Sequence, residues 1–134
     1  MVKRLFTIYL ICLGIIPAPG ANAQFEGYDF QKTDSIAIAT PYRNDYMLLA
    51  EELTKPYYYE NDVYKLRAIF RWITHHIAYD FRFINAGKEI LEPECNDRVD
   101  CALMHQEWEH RYLRKVLKSR RAVCDGYARL FKKL

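Results

Sequence analysis

The sequence contains little glycine and none of the patterns in which glycine binds nucleotide phosphates. Five of its 134 residues are glycine, and no glycine-rich phosphate loop is present. Internal repeats, low-complexity runs and a pair of carboxylates spaced for acid–base catalysis are also missing from the sequence. These absences argue against a phosphate-loop enzyme, a repeat protein and a two-carboxylate hydrolase.

Long apolar runs are scarce as well. The one such run, residues 5–16, follows Lys3 and Arg4 and precedes small residues that end at Ala23. This order of charge, apolar core and small residues is typical of a secretory signal, and the run is shorter than the roughly 20 residues that span a bilayer. We therefore predict a signal peptide over residues 1–23, cleaved after Ala23, and a secreted or periplasmic protein with no stable membrane span after cleavage.

An excess of charge of one sign is missing once the predicted signal peptide is removed. The full sequence carries a net charge of +3, and the loss of Lys3 and Arg4 leaves +1. A nearly neutral chain has no field that would gather nucleic acid or an acidic membrane. The hydrophobic content of 51%, with 15% aromatic residues, is high enough for a packed core and excludes general disorder. We expect one globular domain whose partners do not include nucleic acid.

Cysteine is also rare, and its few positions are informative. Cys12 lies in the predicted signal peptide, which leaves Cys95, Cys101 and Cys124 in an oxidising compartment where accessible thiols tend to pair. Cys95 and Cys101 lie close together in one polar, loop-like stretch. A disulfide between these two would leave Cys124 as the free thiol.

The first half of the mature chain has uneven periodicity. Residues 24–40 alternate only weakly, so we expect an extended lead-in there. Thr40 and Pro41 resemble an N-cap followed by a proline in the first helical turn, and the apolar residues that follow predict a short helix that stops before Pro56.

A longer helix is expected to begin near Asn61 or Asp62, either of which can cap it. The adjacent His75 and His76 would lie about 100° apart around this helix, so a metal site from the pair is excluded and a solvated helix end is expected. A strand is predicted within residues 79–84. The apolar stripe of the helix consists of Leu66, Ile69, Phe70, Ile73 and Ile77.

Residues 85–101 read as a loop, and helical periodicity returns over residues 102–119, with Leu103, Leu113, Val116 and Leu117 on the apolar side. Zinc is a minor alternative for this part of the chain. The spacing argues against it, because structural zinc sites take cysteines from tight pairs and two histidines five residues apart do not share a helix face. The candidate ligands are Cys95, Cys101, His105 and His110.

Cys124 lies at the predicted start of the last helix. Val123, Tyr127 and Leu130 recur at spacings that place one face of this helix inward, as do Phe131 and Leu134. A helix N-terminus carries partial positive charge and free N–H groups, which favour the thiolate, the form that attacks carbonyl carbon. An inert buried cysteine is the alternative to a nucleophile.

Two blocks together resemble the transglutaminase-like superfamily, most closely its kyphoscoliosis-peptidase-like branch. The first is KLRAIFRWI (residues 65–73), which runs into IAYD (residues 77–80). The second is VLKSRRAVCDGYA (residues 116–128) with the apolar helix after it, which resembles the nucleophile segment of the family. The similarity covers roughly residues 41–134, and the order and separation of the blocks also match.

The resemblance implies an α+β papain-like fold in which Cys124 opens a helix packed on a sheet. It also implies acyl transfer, or peptide or amide hydrolysis, through a cysteine thioester, with a protein or peptide substrate such as a cell-wall peptide and with no cofactor or metal. Asp125 is then a first-turn acidic residue that stabilises the helix N-terminus, and Gly126 permits close packing. Cys124 is the one catalytic residue that the resemblance places in this sequence.

The histidine and aspartate that follow the nucleophile in this family have no counterpart here, because all four histidines precede Cys124. We therefore expect residues 41–134 to be the N-terminal part of a truncated domain, mostly α-helical with little strand and inactive by itself. The helices of Leu66 and Leu130 would then expose apolar surface. A noncatalytic binding or scaffold module of the same family is the alternative function.

Overall fold

The computed structural model describes residues 27–95 and 98–134, so the predicted signal peptide and Cys12 lie outside the described residues. The described chain is mostly α-helical with two short strands, as the sequence predicted. The helices are α1 (Gln31–Ala39), α2 (Tyr46–Thr54), α3 (Asp62–His76), α4 (Phe81–Asn85), α5 (Arg98–Ser119) and α6 (Cys124–Lys133), and the strands are β1 (Ala78–Tyr79) and β2 (Arg121–Ala122).

Helix α3 is the element on which the others pack, since α1, α2 and α6 all contact it. It begins where the sequence predicted, because the Asn61 side chain accepts a hydrogen bond of 3.0 Å from the backbone N–H of Val63. Its buried residues are Ala68, Ile69, Trp72 and Ile73.

Trp72 is the largest fully buried side chain in the described core. Its indole N–H donates a 3.0 Å hydrogen bond to the carbonyl oxygen of Thr40, the C-cap residue of α1. A buried indole needs such an acceptor, so this bond satisfies Trp72 and also fixes the end of α1 against α3. Leu49 and Leu53 of α2 and Leu113 and Leu117 of α5 complete this core.

The extended lead-in predicted for residues 24–40 is wrong over residues 31–39, which form α1. The inward residues, Thr33 and Ala37, are small and one turn apart, so the apolar period in the sequence is weak. The helix is held instead by tertiary contacts. The Asp34 carboxylate accepts two hydrogen bonds of 2.7 Å from the Arg67 guanidinium of α3.

The predicted N-cap of the second helix is also wrong. Thr40 ends α1, because its backbone N–H donates to the Ile36 carbonyl at 2.9 Å. Asp45 caps α2 instead, accepting from the backbone N–H of Met47 at 2.8 Å. The chain leaves α2 at Thr54, before Pro56 as predicted, and continues as a 3-10 turn.

The strand predicted over residues 79–84 is wrong over residues 81–84, which belong to α4, and of the predicted range only Tyr79 lies in β1. Strand β1 lies parallel to β2, with hydrogen bonds of 2.9 Å from Ala78 N–H to Arg120 O and from Asp80 N–H to Ala122 O. Helix α4 follows immediately, because the Asp80 side chain accepts from the Phe83 N–H at 3.2 Å and begins a helical turn.

Helix α5 begins at residue 98, earlier than the predicted residue 102. Three of its four predicted apolar residues, Leu113, Val116 and Leu117, are buried, whereas Leu103 is 61% exposed. The helix is followed by Arg120 in the left-handed conformation, with φ of 53°, which turns the chain into β2.

The expectation of exposed apolar surface is confirmed on α3, and on α6 it holds for Phe131, which was predicted to face inward but is 38% exposed. On α3, the side chains of Leu66 and Phe70 are 51% and 50% exposed, while Ile69 and Ile73 point into the core. Leu130 of α6, by contrast, is fully buried, because α6 packs against both α3 and α5.

We predict that Asp34→Asn lowers the free energy of unfolding by about 1 kcal/mol, since it removes the charge of a two-pronged ion pair that is only partly screened by solvent. The hydrogen bonds from Arg67 hold the pKa of the Asp34 carboxyl below its usual value. This stabilisation is therefore present above about pH 4 and lost as the pH falls further. Urea unfolding at pH 7 and pH 3 measures both effects.

The control is Glu51→Gln, which changes the same charge at an exposed residue of α2. An equal loss of stability in the two variants at pH 7 would contradict the role given to the Asp34–Arg67 pair.

Candidate functional site

Cys124 is the first residue of α6, and its side chain is exposed. Of the cysteines that the structure describes, Cys124 is the one that is not in a disulfide. The preceding Val123 is the N-cap residue, with extended backbone angles and a side chain that cannot accept a hydrogen bond. No cap side chain therefore competes for the N–H groups of the first turn, and the predicted position of the thiol at a helix start is confirmed.

The backbone before Cys124 is held on a short sheet. Ala122 accepts the β1 hydrogen bond from Asp80, and both Ala122 and Val123 are buried. The buried side chain of Val123 thus fixes the turn to the protein interior, while the side chain of Cys124 is exposed. The thiol is presented on a fixed turn between a strand and a helix.

Gly126 permits the close packing that the sequence suggested. A Cβ atom at this position would lie 2.8 Å from the Cβ of Ala122 and 2.9 Å from the hydroxyl of Tyr112. Both separations are shorter than van der Waals contact, so an alanine would force β2 and α5 away from α6. The glycine sets the depth at which the start of α6 packs.

Asp125 is engaged by a residue of its own helix. Its carboxylate accepts hydrogen bonds of 2.9 and 2.8 Å from Nε of Arg129. The Arg129 guanidinium also binds Glu92 and lies over the Trp108 ring, 4.9 Å from its centroid. These contacts support the structural role predicted for Asp125 in the first turn of α6.

Tyr112 is a residue of this site that the sequence reasoning missed. It projects from α5, stacks on Trp108 one turn earlier with ring centroids 5.2 Å apart, and brings its hydroxyl to Gly126. Burial, and next the charge of Asp125, raises the pKa of Tyr112 to about 12. The hydroxyl therefore stays protonated at neutral pH and is a hydrogen-bond donor close to the helix that carries Cys124.

A groove of about 240 Å³ lies beside β2 and the turn that leads to Cys124. Val123, the residue before Cys124, lines it together with Tyr112 and Asp80, whereas Cys124 is not among its lining residues. Lys88 and Lys115 also line it, so the groove combines apolar walls with positive charge.

The histidines do not form a catalytic pair with Cys124 in the part of the chain that the structure describes, where no imidazole hydrogen-bonds to the thiol. His75 is exposed, as predicted for a solvated helix end, but His76 is not. Its ring stacks on Trp72 at 4.6 Å, and its Nδ1 donates to the Trp72 carbonyl at 3.0 Å. Burial lowers the pKa of His76, helped by the nearby charges of His75 and Arg120.

The four residues weighed as zinc ligands are divided by the structure. Cys95 and Cys101 form a disulfide, a pairing that the sequence left open, and Cys124 is the free thiol among the described cysteines. His105 lies against this disulfide. His110 does not belong to the same cluster, because its Nδ1 lies 2.9 Å from the hydroxyl of Tyr46 on α2.

Comparison with family models, curated proteins and solved structures found no match to this chain. Within residues 27–95 and 98–134, none of the helices combines the length and the apolar character that crossing a bilayer requires. The function must therefore be argued from the chemistry of the site itself.

We predict that Gly126→Ala lowers the free energy of unfolding by about 1–3 kcal/mol, because the added methyl group overpacks the contact with Ala122 and Tyr112. The usual gain in helix propensity, about 1 kcal/mol, opposes this loss. Denaturant unfolding of Gly126→Ala, Ala122→Gly and the double variant measures the coupling.

The double variant should lose less stability than the sum of the two single variants, since Ala122→Gly removes the closer contact. Additive losses would contradict the packing role of Gly126. Ala128→Gly, at an exposed position of α6, reports the effect of helix propensity alone.

We predict that His76 makes the protein less stable in mild acid. Because its pKa is lowered in the folded state, the unfolded chain takes up a proton first as the pH falls through about 6.5. Stability conferred by the neutral ring is therefore present above that pH and lost below it. His76→Gln should flatten the fall in unfolding free energy between pH 7.5 and about pH 5.5.

His75→Gln is the comparison variant: it removes the adjacent exposed ring, whose charge is a lesser cause of the lowered pKa of His76, so its slope should change less than that of His76→Gln. Chemical unfolding at closely spaced pH values gives both slopes. A slope unchanged in His76→Gln would show that burial of this ring does not resist protonation.

Proposed function

We propose that Cys124 is the nucleophile of a transglutaminase-like cysteine enzyme with a papain-like fold. The observation that carries the proposal is a free, exposed thiol on the first residue of α6, in a chain whose Cys95 and Cys101 are consumed by a disulfide. Its surroundings are consistent with this role, because the first-turn N–H groups of α6 face no competing cap and a helix start favours an anion.

In the proposed reaction, the Cys124 thiolate attacks the carbonyl carbon of an amide. The carbon–nitrogen bond breaks, the nitrogen takes up a proton and leaves as an amine or ammonia, and a thioester remains on the sulfur. Water or a second amine then attacks the thioester carbonyl and restores the thiol. Hydrolysis and crosslinking share this intermediate and differ in the second nucleophile.

This reaction needs a base that holds the thiolate and an acid that protonates the leaving nitrogen. Within residues 27–95 and 98–134, no histidine hydrogen-bonds to Cys124, and the Asp125 carboxylate is occupied by Arg129. The proposal therefore assigns only the nucleophile to these residues. We expect them to be inactive toward amides by themselves and to take up an acyl group only from an ester whose leaving group needs no proton.

The groove beside β2 supports a protein or peptide substrate. It is bordered by Val123, the residue before Cys124. Its three basic side chains outnumber its one carboxylate, Asp80, which favours a chain that carries carboxylates; the basic residues are Lys88, Lys115 and Arg121. A cell-wall peptide has such groups and fits the secreted or periplasmic location proposed from residues 1–23.

A noncatalytic binding or scaffold module of the same family is the second candidate. It is favoured by the absence of a histidine hydrogen bond to Cys124 in the described residues and by the pairing of Asp125 with Arg129. In this case the groove binds a partner peptide and the thiol has no chemical role.

The two candidates differ in how Cys124 reacts with an activated ester. We predict that p-nitrophenyl acetate acetylates Cys124 once per chain, several-fold faster in the folded protein than in the urea-unfolded protein with its disulfide intact. A helix N-terminus favours the thiolate only while the helix exists. Release of p-nitrophenolate gives the rate, and peptide mass spectrometry gives the site.

Cys124→Ser is the control for acylation of other groups. Equal rates for folded and unfolded wild-type protein would favour the noncatalytic module, as would acetylation that survives unchanged in Cys124→Ser. A burst of one equivalent that depends on both the fold and Cys124 would favour the enzyme.

A further inference from the structure

The disulfide loop has a second feature that the proposed acyl transfer does not use. Cys95, Cys101 and His105 each offer a ligand atom, and these three atoms lie within 4.8 Å of one another. Cys101 and His105 are four residues apart on α5 and so share one helix face, while Cys95 comes from the preceding loop. Two sulfur atoms and one imidazole thus converge at one place.

We propose that this cluster is a zinc site that opens when the disulfide is reduced. In the oxidised form, Cys95 and Cys101 are joined in a disulfide, and its sulfur atoms carry no thiolate charge. Because Zn²⁺ binds thiolates, the oxidised site does not bind the metal. After reduction, two cysteines and one histidine are a ligand set that suits Zn²⁺, with a fourth position for water.

The chemistry of opening balances with a dithiol reductant. The reductant gives two electrons and two protons to the sulfur–sulfur bond between Cys95 and Cys101 and becomes a cyclic disulfide, leaving two thiols on the protein. Zn²⁺ then displaces the two thiol protons and binds two thiolates together with the neutral ring of His105. Removal of the metal and oxidation by a disulfide reverse both steps.

The surroundings of the cluster favour this role. All three residues are half-buried, so a small reductant and a metal ion can reach them. The Glu92 carboxylate lies 3.7 Å from Nδ1 of His105. A carboxylate beside a ligating histidine orients its ring and raises its basicity, which strengthens metal binding.

His110 gives the proposal a matched control. It lies five residues beyond His105 on the same helix, but its ring is against Tyr46 and outside the cluster. If any histidine near the disulfide could bind the metal, removing either ring would weaken binding. The distances place only the His105 ring with the two cysteines.

The test uses the full chain and Zn²⁺ itself. Free thiols, including Cys124, are first alkylated while the disulfide is intact, and the protein is then reduced and freed of reductant without air. Zinc is titrated against a chromophoric chelator, and Cd²⁺ is used in parallel for the ultraviolet absorption of metal–thiolate bonds. Circular dichroism follows the helices.

We expect one Zn²⁺ per reduced chain, about two protons released per metal at neutral pH, and no binding to the oxidised chain. His105→Ala should weaken zinc binding at least about tenfold, and His110→Ala should leave it unchanged. Both variants keep the disulfide, so their folding in the oxidised state can be compared directly.

Several results would overturn the proposal. These are equal zinc binding by the oxidised chain, equal affinity in His105→Ala, or a reduced chain that loses its helices and binds no zinc. Because Cys124 is blocked throughout, none of these outcomes depends on whether that thiol is a catalytic nucleophile.

Discussion

Two backbone hydrogen bonds between β1 and β2 determine where the proposed nucleophile lies. They join Ala78 to Arg120 and Asp80 to Ala122, and so connect the end of α3 to the start of α6. Helix α3 is in turn fixed in the core by its buried face, of which Trp72 is the centre. Besides this short parallel pair, helix packing and a hydrogen bond from the Tyr127 hydroxyl to the Ile77 carbonyl hold the turn that presents Cys124. A sheet of two residues per strand therefore carries the geometry of the site.

The contact between α5 and α6 adds a second constraint. Gly126 lets α6 approach Tyr112 and Ala122 closely, and Arg129 of α6 reaches acidic residues outside its helix. The close packing at Gly126 and the Arg129–Glu109 ion pair both join α6 to α5. The first turn of α6 therefore contacts β2 and α5, while the side chain of its first residue, Cys124, stays exposed.

The sequence predicted the elements whose signal is local. The Asn61 cap and the start of α6 follow from side chains close to each other in the chain, whereas the pairing of Cys95 with Cys101 was left open by the sequence. Helix α1 could not be predicted in this way, because it depends on the Asp34 ion pair with a residue 33 positions away. Tyr112 was missed for the same reason, since only the fold brings its hydroxyl to Gly126.

The Glu92 carboxylate touches His105 with one oxygen and Arg129 with the other. Arg129 also binds Asp125, the residue that follows Cys124. One negative charge is therefore shared between the loop of the disulfide and the turn of the exposed thiol. By thermodynamic reciprocity, if a change at the disulfide loop alters the strength of the Glu92–Arg129 contact, a change in that contact alters the loop by the same free energy. A single acidic side chain thus connects the disulfide loop with the helix turn that carries Cys124.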